Sequence, residues 1–279
     1  MVVSRLRSEV RKQLKENGHE ADWIISHVTG MSQSDFIMHP REVTDDEMRK
    51  IEDIITRRNS GEPLQYILGY TEFMGLTFRV NELTLIPRQD TETLVETVVT
   101  KIGNEKVRVL DIGTGSGCIG ISIAKLCPNA EVTLLDYSDA ILAIAKENAE
   151  MNGVNVRLLR CDILEEKPEG EYDIIVSNPP YIETETIFSL DNIVSSYEPP
   201  EALDGGFDGL MFYHRIIEEI AKEILSEDGA VAFEIGYTQG DAVSAILREE
   251  DFSNIKVLRD PCGNDRVVTA RLKPALFSL

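Results

Sequence analysis

Residues 109–120 read Val-Leu-Asp-Ile-Gly-Thr-Gly-Ser-Gly-Cys-Ile-Gly. A short apolar run of this kind predicts a buried strand, and the three alternating glycines stop it before a helical pattern begins. Glycines in a strand-to-helix turn let the backbone bend tightly and approach a ligand beside the helix N-terminus. Gly113, Thr114, Gly115, Ser116 and Gly117 are therefore candidate cofactor contacts. An ordinary glycine-rich turn would use the same residues, so the flanking pattern has to decide.

Working outward, the strand candidates are VRVLDI (107–112), EVTLLD (131–136), VRLLRC (156–161), YDIIVS (172–177) and AVAFEI (230–235), with helical patterns between most of them. That alternation predicts an α/β fold of Rossmann type, a parallel sheet with helices on both faces. The last two runs, 254–260 and 266–272, are separated only by the turn-like PCGND, so a terminal hairpin would add an antiparallel strand.

Upstream, Leu6, Val10 and Leu14 recur every four residues and stop at Gly18, predicting an amphipathic helix closed by a glycine. A second helix is expected over 20–28. Thr44-Asp45-Asp46-Glu47 is a capping-box signature, followed by an apolar face of Met48, Ile51, Ile54 and Ile55 up to Gly61. The expected organisation is a small helical docking domain over 1–70, a β-hairpin linker over 71–88, and the α/β domain over 89–279.

Composition narrows the function. The 279 residues carry 28 Lys and Arg against 49 Asp and Glu, a formal charge of −21, and 42% are hydrophobic. A sizeable core is available. Strong acidity disfavours sequence-independent binding to phosphate backbones, where Lys and Arg supply the affinity. The four cysteines are scattered without a C-x-x-C pair, so neither a structural metal site nor a disulfide framework is expected. The N-terminal segment lacks a long apolar stretch, and the expectation is a soluble cytoplasmic protein with no membrane partner.

Asp136 ends the second strand roughly 20 residues after the glycines, where a carboxylate accepts hydrogen bonds from ribose hydroxyls. Nicotinamide cofactors and S-adenosylmethionine both carry that ribose. A dinucleotide fingerprint would place glycine three positions after Gly115, where this chain has Cys118. Asp162 follows the third strand and could accept from an adenine amino group while Ile163 covers the ring. A surface turn is the plainer role for Asp162.

The fourth strand runs into Ser177-Asn178-Pro179-Pro180-Tyr181-Ile182. Prolines lack the ladder N–H, so the chain must leave the sheet there. What remains is an acceptor-rich ledge, the Asn178 side-chain oxygen and the Pro179 carbonyl, beside the cofactor crevice. Such a ledge suits a planar NH2 group, holding the nitrogen and stabilising the positive charge that grows as it attacks an electrophilic methyl. Tyr181 offers an aromatic face. Alignment of nitrogen, methyl and sulfur supplies the rest. The expected reaction is methyl transfer from S-adenosylmethionine to an sp2 amino nitrogen, with Asn178, Pro179 and Tyr181 catalytic and Pro180 also in contact with substrate.

With these motifs in place the sequence resembles the HemK-type protein-(glutamine-N5) methyltransferases. The resemblance is carried by GEPLQYILGYTEFMGLTFRV, LIPR, DIGTGSGCIGI, SNPPYI, YEPPEALDGGFDGL and EIGYTQ. It implies a helical N-terminal domain and a methyltransferase domain that together grip a peptide chain release factor, with the glutamine of its Gly-Gly-Gln motif as acceptor. By motif match Gly113 to Gly117 would contact the cofactor, Asp136 its ribose, and Asp162 with Ile163 its adenine. Asn178 would serve both cofactor and substrate, and Asn178, Pro179 and Tyr181 would hold the amide. Gln89 and Asp90 stand where the family has proline and glutamate.

Three other readings use the same residues. A nucleic-acid methyltransferase acting on adenine N6 or guanine N2 would meet the same planar amine, but should show a basic strand-tracking surface and aromatic platforms. Only 6% of this chain is aromatic. A non-catalytic cofactor-binding module would not need Asn178. A nicotinamide dehydrogenase is disfavoured by Cys118 and by the absence of an evident proton-relay residue among His19, His27, His39 and His214.

Overall fold

The computed structural model describes residues 2–187 and 197–272, which divide into two compact units: residues 2–69 with Tyr197, and residues 70–187 with 198–272. The first unit is helical: α1 (Val3–Gln13), α2 (Ala21–Thr29), α3 (Asp35–Met38), α4 (Asp45–Asn59) and α5 (Leu64–Leu68). Leu6, Val10 and Leu14 are buried along one face, as their spacing requires. The α-helix nonetheless ends before Gly18. Leu14 caps it, Lys15 turns into the left-handed region (φ 53°), and a 3-10 stretch spans Lys15–Glu20. Gly18 serves close approach instead, because a Cβ there would lie 2.9 Å from the Arg11 carbonyl oxygen.

The capping box on α4 forms: Glu47 N donates to Thr44 Oγ1 at 3.2 Å, and Thr44 N donates to Glu47 Oε2 at 2.8 Å. Two ion pairs reach across the unit, Arg7 to Asp22 and the nearly buried Arg58 to Glu20 at 2.7 Å. The five-residue α5 carries too little length for a periodic signal. It is bounded by Pro63 and by Gly69, which adopts a left-handed conformation.

The second unit opens with an antiparallel hairpin, β1 (Tyr70–Phe73) and β2 (Leu76–Arg79). It continues through α6 (Glu92–Ile102), β3 (Arg108–Ile112), α7 (Cys118–Leu126), β4 (Glu131–Asp136), α8 (Asp139–Asn152), β5 (Arg157–Arg160) and β6 (Tyr172–Ser177). β7 (Leu225–Glu234), β8 (Phe252–Arg259) and β9 (Asp265–Leu272) complete a seven-stranded sheet in the order β5-β4-β3-β6-β7-β9-β8. The β5, β4, β3, β6 and β7 pairings are parallel, while β9 runs antiparallel to both β7 and β8. The terminal hairpin thus inserts its second strand between β7 and β8.

Strand alternation distributes the core over both faces. Val109 and Val176 pack with Leu94, Val95 and Ile121 on one side, whereas Leu110, Ile112 and Ile175 pack with Ile216, Ile217 and Ile220 of the helix over 211–224 on the other. The hairpin belongs to this unit by its contacts. Phe73 and Phe78 meet edge to face at 6.1 Å within the α6–α8 core. Buried Asn148 of α8 accepts from Arg79 N at 2.7 Å and donates to the carbonyls of Arg79 and Ser116. One side chain thereby ties the hairpin to the glycine turn.

Among the described residues, no helix is long and apolar enough to cross a membrane, and no group of His, Cys, Asp and Glu is arranged to hold a metal ion.

Candidate active site

The turn between β3 and α7 places Gly113, Gly115 and Gly117 all at positive φ (69°, 54° and 83°), conformations that L side chains rarely adopt. Asp111 anchors this turn from within the core. Its Oδ2 accepts from Thr114 Oγ1 at 2.6 Å and from Gly120 N at 3.0 Å. Burial pushes the Asp111 carboxyl up to about 6, against those two hydrogen bonds. Asp136, at the end of β4, accepts from Gly115 N at 3.0 Å through Oδ2. Burial raises its carboxyl as well, while backbone amides from Gly115, Ser138 and Tyr137 counter the shift.

A cavity of about 290 Å³ runs along this carboxyl edge, near the lower end of small-molecule sites. Gly113, Thr114, Gly115, Ser116, Asp136, Asp162, Ile163, Asn178, Pro179 and Pro180 all line it. Asp162 Oδ1 accepts from Leu164 N at 3.0 Å, which closes the turn after β5 and fixes the carboxylate beside Ile163. Gly117 and Tyr181 do not line the cavity. Gly117 lies beneath it as the N-cap of α7, where a Cβ would meet Ile121 Cδ1 at 2.6 Å.

The residues present fit S-adenosylmethionine. Backbone freedom at the glycine turn, a buried strand-end acid at Asp136, and a second acid beside an apolar side chain at 162–163 occupy one continuous cavity. A more open depression of about 780 Å³ lies at the opposite edge of the sheet, lined by Arg108, Glu131 and Arg157 among others. Arg108 and Glu131 are already paired there, with Asp173 and Glu171 and with Lys106 respectively.

β6 delivers the reacting segment. Ser177 Oγ donates to the Ile112 carbonyl at 2.7 Å, locking the strand end beside the glycine turn. All peptide bonds in the described chain are trans, including those at Pro179 and Pro180. Asn178 Nδ2 donates to Thr91 Oγ1 at 3.5 Å, which leaves its oxygen available to the cavity.

Tyr181 stands behind the wall. Its ring packs against the core, and burial pushes the phenol up to about 12. Gly236 leaves room for Gln239, since a Cβ there would sit 2.9 Å from Gln239 Oε1. The Tyr181 carbonyl accepts from Gln239 Nε2 at 3.0 Å.

The segment after NPPY is zipped to a distant loop. Ile182 N donates to the Leu203 carbonyl, Gly205 N to the Ile182 carbonyl, and Thr184 N to the Gly206 carbonyl, at 3.0, 2.8 and 2.9 Å. The approach is so close that a Cβ on Gly209 would lie 2.4 Å from the Tyr181 carbonyl oxygen.

Three groups at the site escaped reasoning from local pattern: Thr91, Glu198 and Glu234. Each is buried, and each belongs to a conspicuous block, IPRQDTE, YEPPE or EIGYTQ, which was the available signal.

Residues 88–259 match the family described as "Methyltransferase small domain", and residues 5–69 match the "PrmC N-terminal domain". The chain is similar to a release factor glutamine methyltransferase of Agrobacterium fabrum, 43% identical over 260 residues that cover 90% of this chain and 89% of that protein. A release factor glutamine methyltransferase of Geobacter sulfurreducens is 39% identical over 254 residues, covering 91% of this chain and 89% of the relative. Among solved structures, a methyltransferase from Pyrococcus furiosus shares the fold with a TM-score of 0.52 at 19% identity, over 81% of this chain and 98% of that one.

Proposed function

The chain belongs to the release factor glutamine methyltransferase family, and from that premise we infer how its own residues carry the reaction. The protein methylates the side-chain amide nitrogen (N5) of the glutamine in the Gly-Gly-Gln motif of peptide chain release factors. When bound, S-adenosylmethionine supplies an electrophilic methyl carbon on a sulfonium. The observation that carries the residue-level reading is that Asn178, Pro179 and Pro180 line the same cavity as the glycine turn and Asp136.

In this reading the backbone of 113–117 and the Asp136, Asp162 and Ile163 side chains hold the cofactor. Asn178 Oδ1 and the Pro179 carbonyl accept the two amide hydrogens of the glutamine. An amide nitrogen is a poor nucleophile because its lone pair is delocalised. Two fixed acceptors hold it in line with the methyl and stabilise the charge that develops on nitrogen, which becomes acidic only as the new bond forms. No strong base need act before attack. Pro180 fixes the course of the chain, and Tyr181 contributes from behind the wall through its backbone and ring.

The helical unit is assigned a docking role for the release factor, and its exposed Ile37 and Met38 (73% and 70% accessible) are the apolar side chains offered for it. A substrate of the translation apparatus supports a cytoplasmic location for the enzyme. The test is incubation with labelled S-adenosylmethionine and separately purified release factor, ribosomal protein and RNA, followed by mass spectrometry. Label on the Gly-Gly-Gln glutamine is the expected result. Label confined to RNA bases would replace this reading with exocyclic-amine methylation.

A further inference from the structure

β7 ends at Glu234, a carboxyl only 2% exposed that does not line the cavity. Its Oε2 is buried without a protein partner. Groups from several elements face it: Thr91 and Asp90 from the turn before α6, Tyr181 from the NPPY segment, and Arg266 from β9. Cys118 of α7 and Tyr213 also feel its charge. Burial pushes Glu234 up to about 7 and Asp90 acts in the same sense, whereas the Thr91 hydroxyl, Arg266 and the Tyr181 phenol favour the anion.

Most of these groups are already committed. Arg266 Nη2 lies 3.2 Å from both Asp90 and Asp260, and its Nη1 donates to the Ile235 carbonyl. Tyr213 donates its proton to the backbone carbonyl of Glu234 at 2.7 Å. The hydroxyl donors left for the carboxylate are those of Thr91 and Tyr181.

Proton direction then matters. A hydroxyl has one hydrogen to give. With Asn178 Nδ2 donating to Thr91 Oγ1, the Thr91 hydrogen is free to point at an anion, and the Asn178 oxygen is left facing the cavity. With a neutral Glu234, Thr91 could instead donate toward Asn178, and the carboxamide could turn its nitrogen into the acceptor site.

We propose that Glu234 is a positioning residue for methyl transfer: an anion behind NPPY that accepts hydrogen bonds from the Thr91 and Tyr181 hydroxyls and so fixes the Asn178 carboxamide with its oxygen toward the incoming amide. The proposal deepens the function assigned above and rests on it. A lost orientation of this kind costs the rate of the chemical step and spares the cofactor, which Glu234 does not touch.

The experiment compares wild type, Glu234→Gln, Thr91→Val, Thr91→Ser and the Glu234→Gln/Thr91→Val double variant. Single-turnover transfer to a release factor is followed from about pH 6 to about pH 8, with cofactor affinity measured separately by calorimetry. Wild-type rate should rise with pH through about 7, as the carboxyl ionises. Glu234→Gln should bind cofactor within about twofold of wild type, lose that rise, and run about ten- to a hundredfold slower at the upper pH, the scale of a small misplacement of reacting groups. Thr91→Ser should keep the wild-type profile and Thr91→Val should lose it, and the double variant should be no slower than the worse single one.

A wild-type rate and pH profile in Glu234→Gln would overturn the proposal, as would losses that multiply in the double variant. Should Glu234→Gln fail to fold, the Thr91 pair decides by the same profile. Wild type that labels no release factor would instead remove the functional reading beneath it.

Discussion

Arg88 and Glu198, 110 residues apart in the chain, form an ion pair at 2.5 Å between Nη2 and Oε1. The pair joins the IPR block before α6 to the YEPPE block on the far side of NPPY. The two partners are unequal: the Glu198 side chain is 2% exposed and its Oε2 has no partner, whereas Arg88 is 41% exposed. Burial raises the Glu198 carboxyl and Arg88 pulls it back.

Replacing Arg88 with methionine should therefore cost about 1–3 kcal/mol of stability near neutral pH, the penalty for stranding a buried acceptor. The sign of its pH dependence follows from the raised carboxyl. A folded-state value above the unfolded one gives stability that is full at low pH and is lost as pH rises, and removing Arg88 raises it further. The melting-temperature gap between wild type and Arg88→Met should widen from pH 5 to pH 8. A gap that stays constant would mean that the pair contributes nothing through charge.

The parts of the site built from neighbouring residues were legible in sequence. Alternate glycines between an apolar run and a helical pattern demand left-handed backbone, and Gly113, Gly115 and Gly117 adopt it. The end of EVTLLD puts Asp136 beside them because parallel strands align their carboxyl ends. What local spacing could not convey is which partner lies behind each residue. Tyr181 reads as an open aromatic face, yet its ring is packed into the core, because the loop over 203–210 closes on the NPPY backbone. Thr91 and Glu234 meet Asn178 and Tyr181 only through the sheet order, which brings β6 beside β7. Gly18 reads as a helix terminator for a similar reason: its constraint is contact with Arg11, and spacing alone does not distinguish the two.

Gly120 illustrates a constraint of packing. It lies in α7 with a normal helical backbone, but a Cβ would sit 2.2 Å from Leu134 Cδ2 and 3.0 Å from Asp111 Oδ2. Both neighbours are buried strand residues, so neither can swing away. Gly120→Ala should destabilise by about 1–3 kcal/mol, the cost of overpacking a filled core, despite alanine's better helix propensity. Denaturant unfolding checks this, and a stabilised variant would show that the helix can shift freely from the sheet.

The docking role proposed for the helical unit predicts a change in one parameter alone. The double substitution Ile37→Ser/Met38→Ser alters exposed side chains of α3, so the fold and cofactor affinity should be unaffected. The release factor concentration for half-maximal rate should rise by about three- to tenfold, a loss of roughly 1 kcal/mol of apolar contact. Steady-state assays with unaltered half-saturation would assign docking to another surface.

Asp136→Ala should weaken S-adenosylmethionine binding by roughly 1.5–3 kcal/mol, the usual range for hydrogen bonds to a charged group. Part of that loss would come through Gly115, whose N–H rests on Asp136 Oδ2. Asp136→Asn separates the two contributions, since it keeps an acceptor for Gly115 and removes the charge. Calorimetric affinity equal to wild type in the alanine variant would exclude a ribose contact.

Asn178 is the residue to which the proposed chemistry assigns the largest part. Its nitrogen is directed to Thr91, so its oxygen is the group presented to the cavity, which Pro179 also lines. Asn178→Ala removes an acceptor that matters most as positive charge grows on the glutamine nitrogen. Turnover should fall by about 10²–10³, by analogy with loss of one preorganised electrostatic partner. Cofactor affinity should change far less, because the glycine turn and Asp136 are untouched. Asn178→Asp keeps an acceptor and adds negative charge, but it gives up the N–H that Thr91 accepts. It should therefore outperform alanine while remaining below wild type. Single-turnover transfer at saturating cofactor, with binding of both substrates measured independently, separates these effects. Equal rates for wild type and Asn178→Ala would leave NPPY as no more than the point where β6 leaves the sheet.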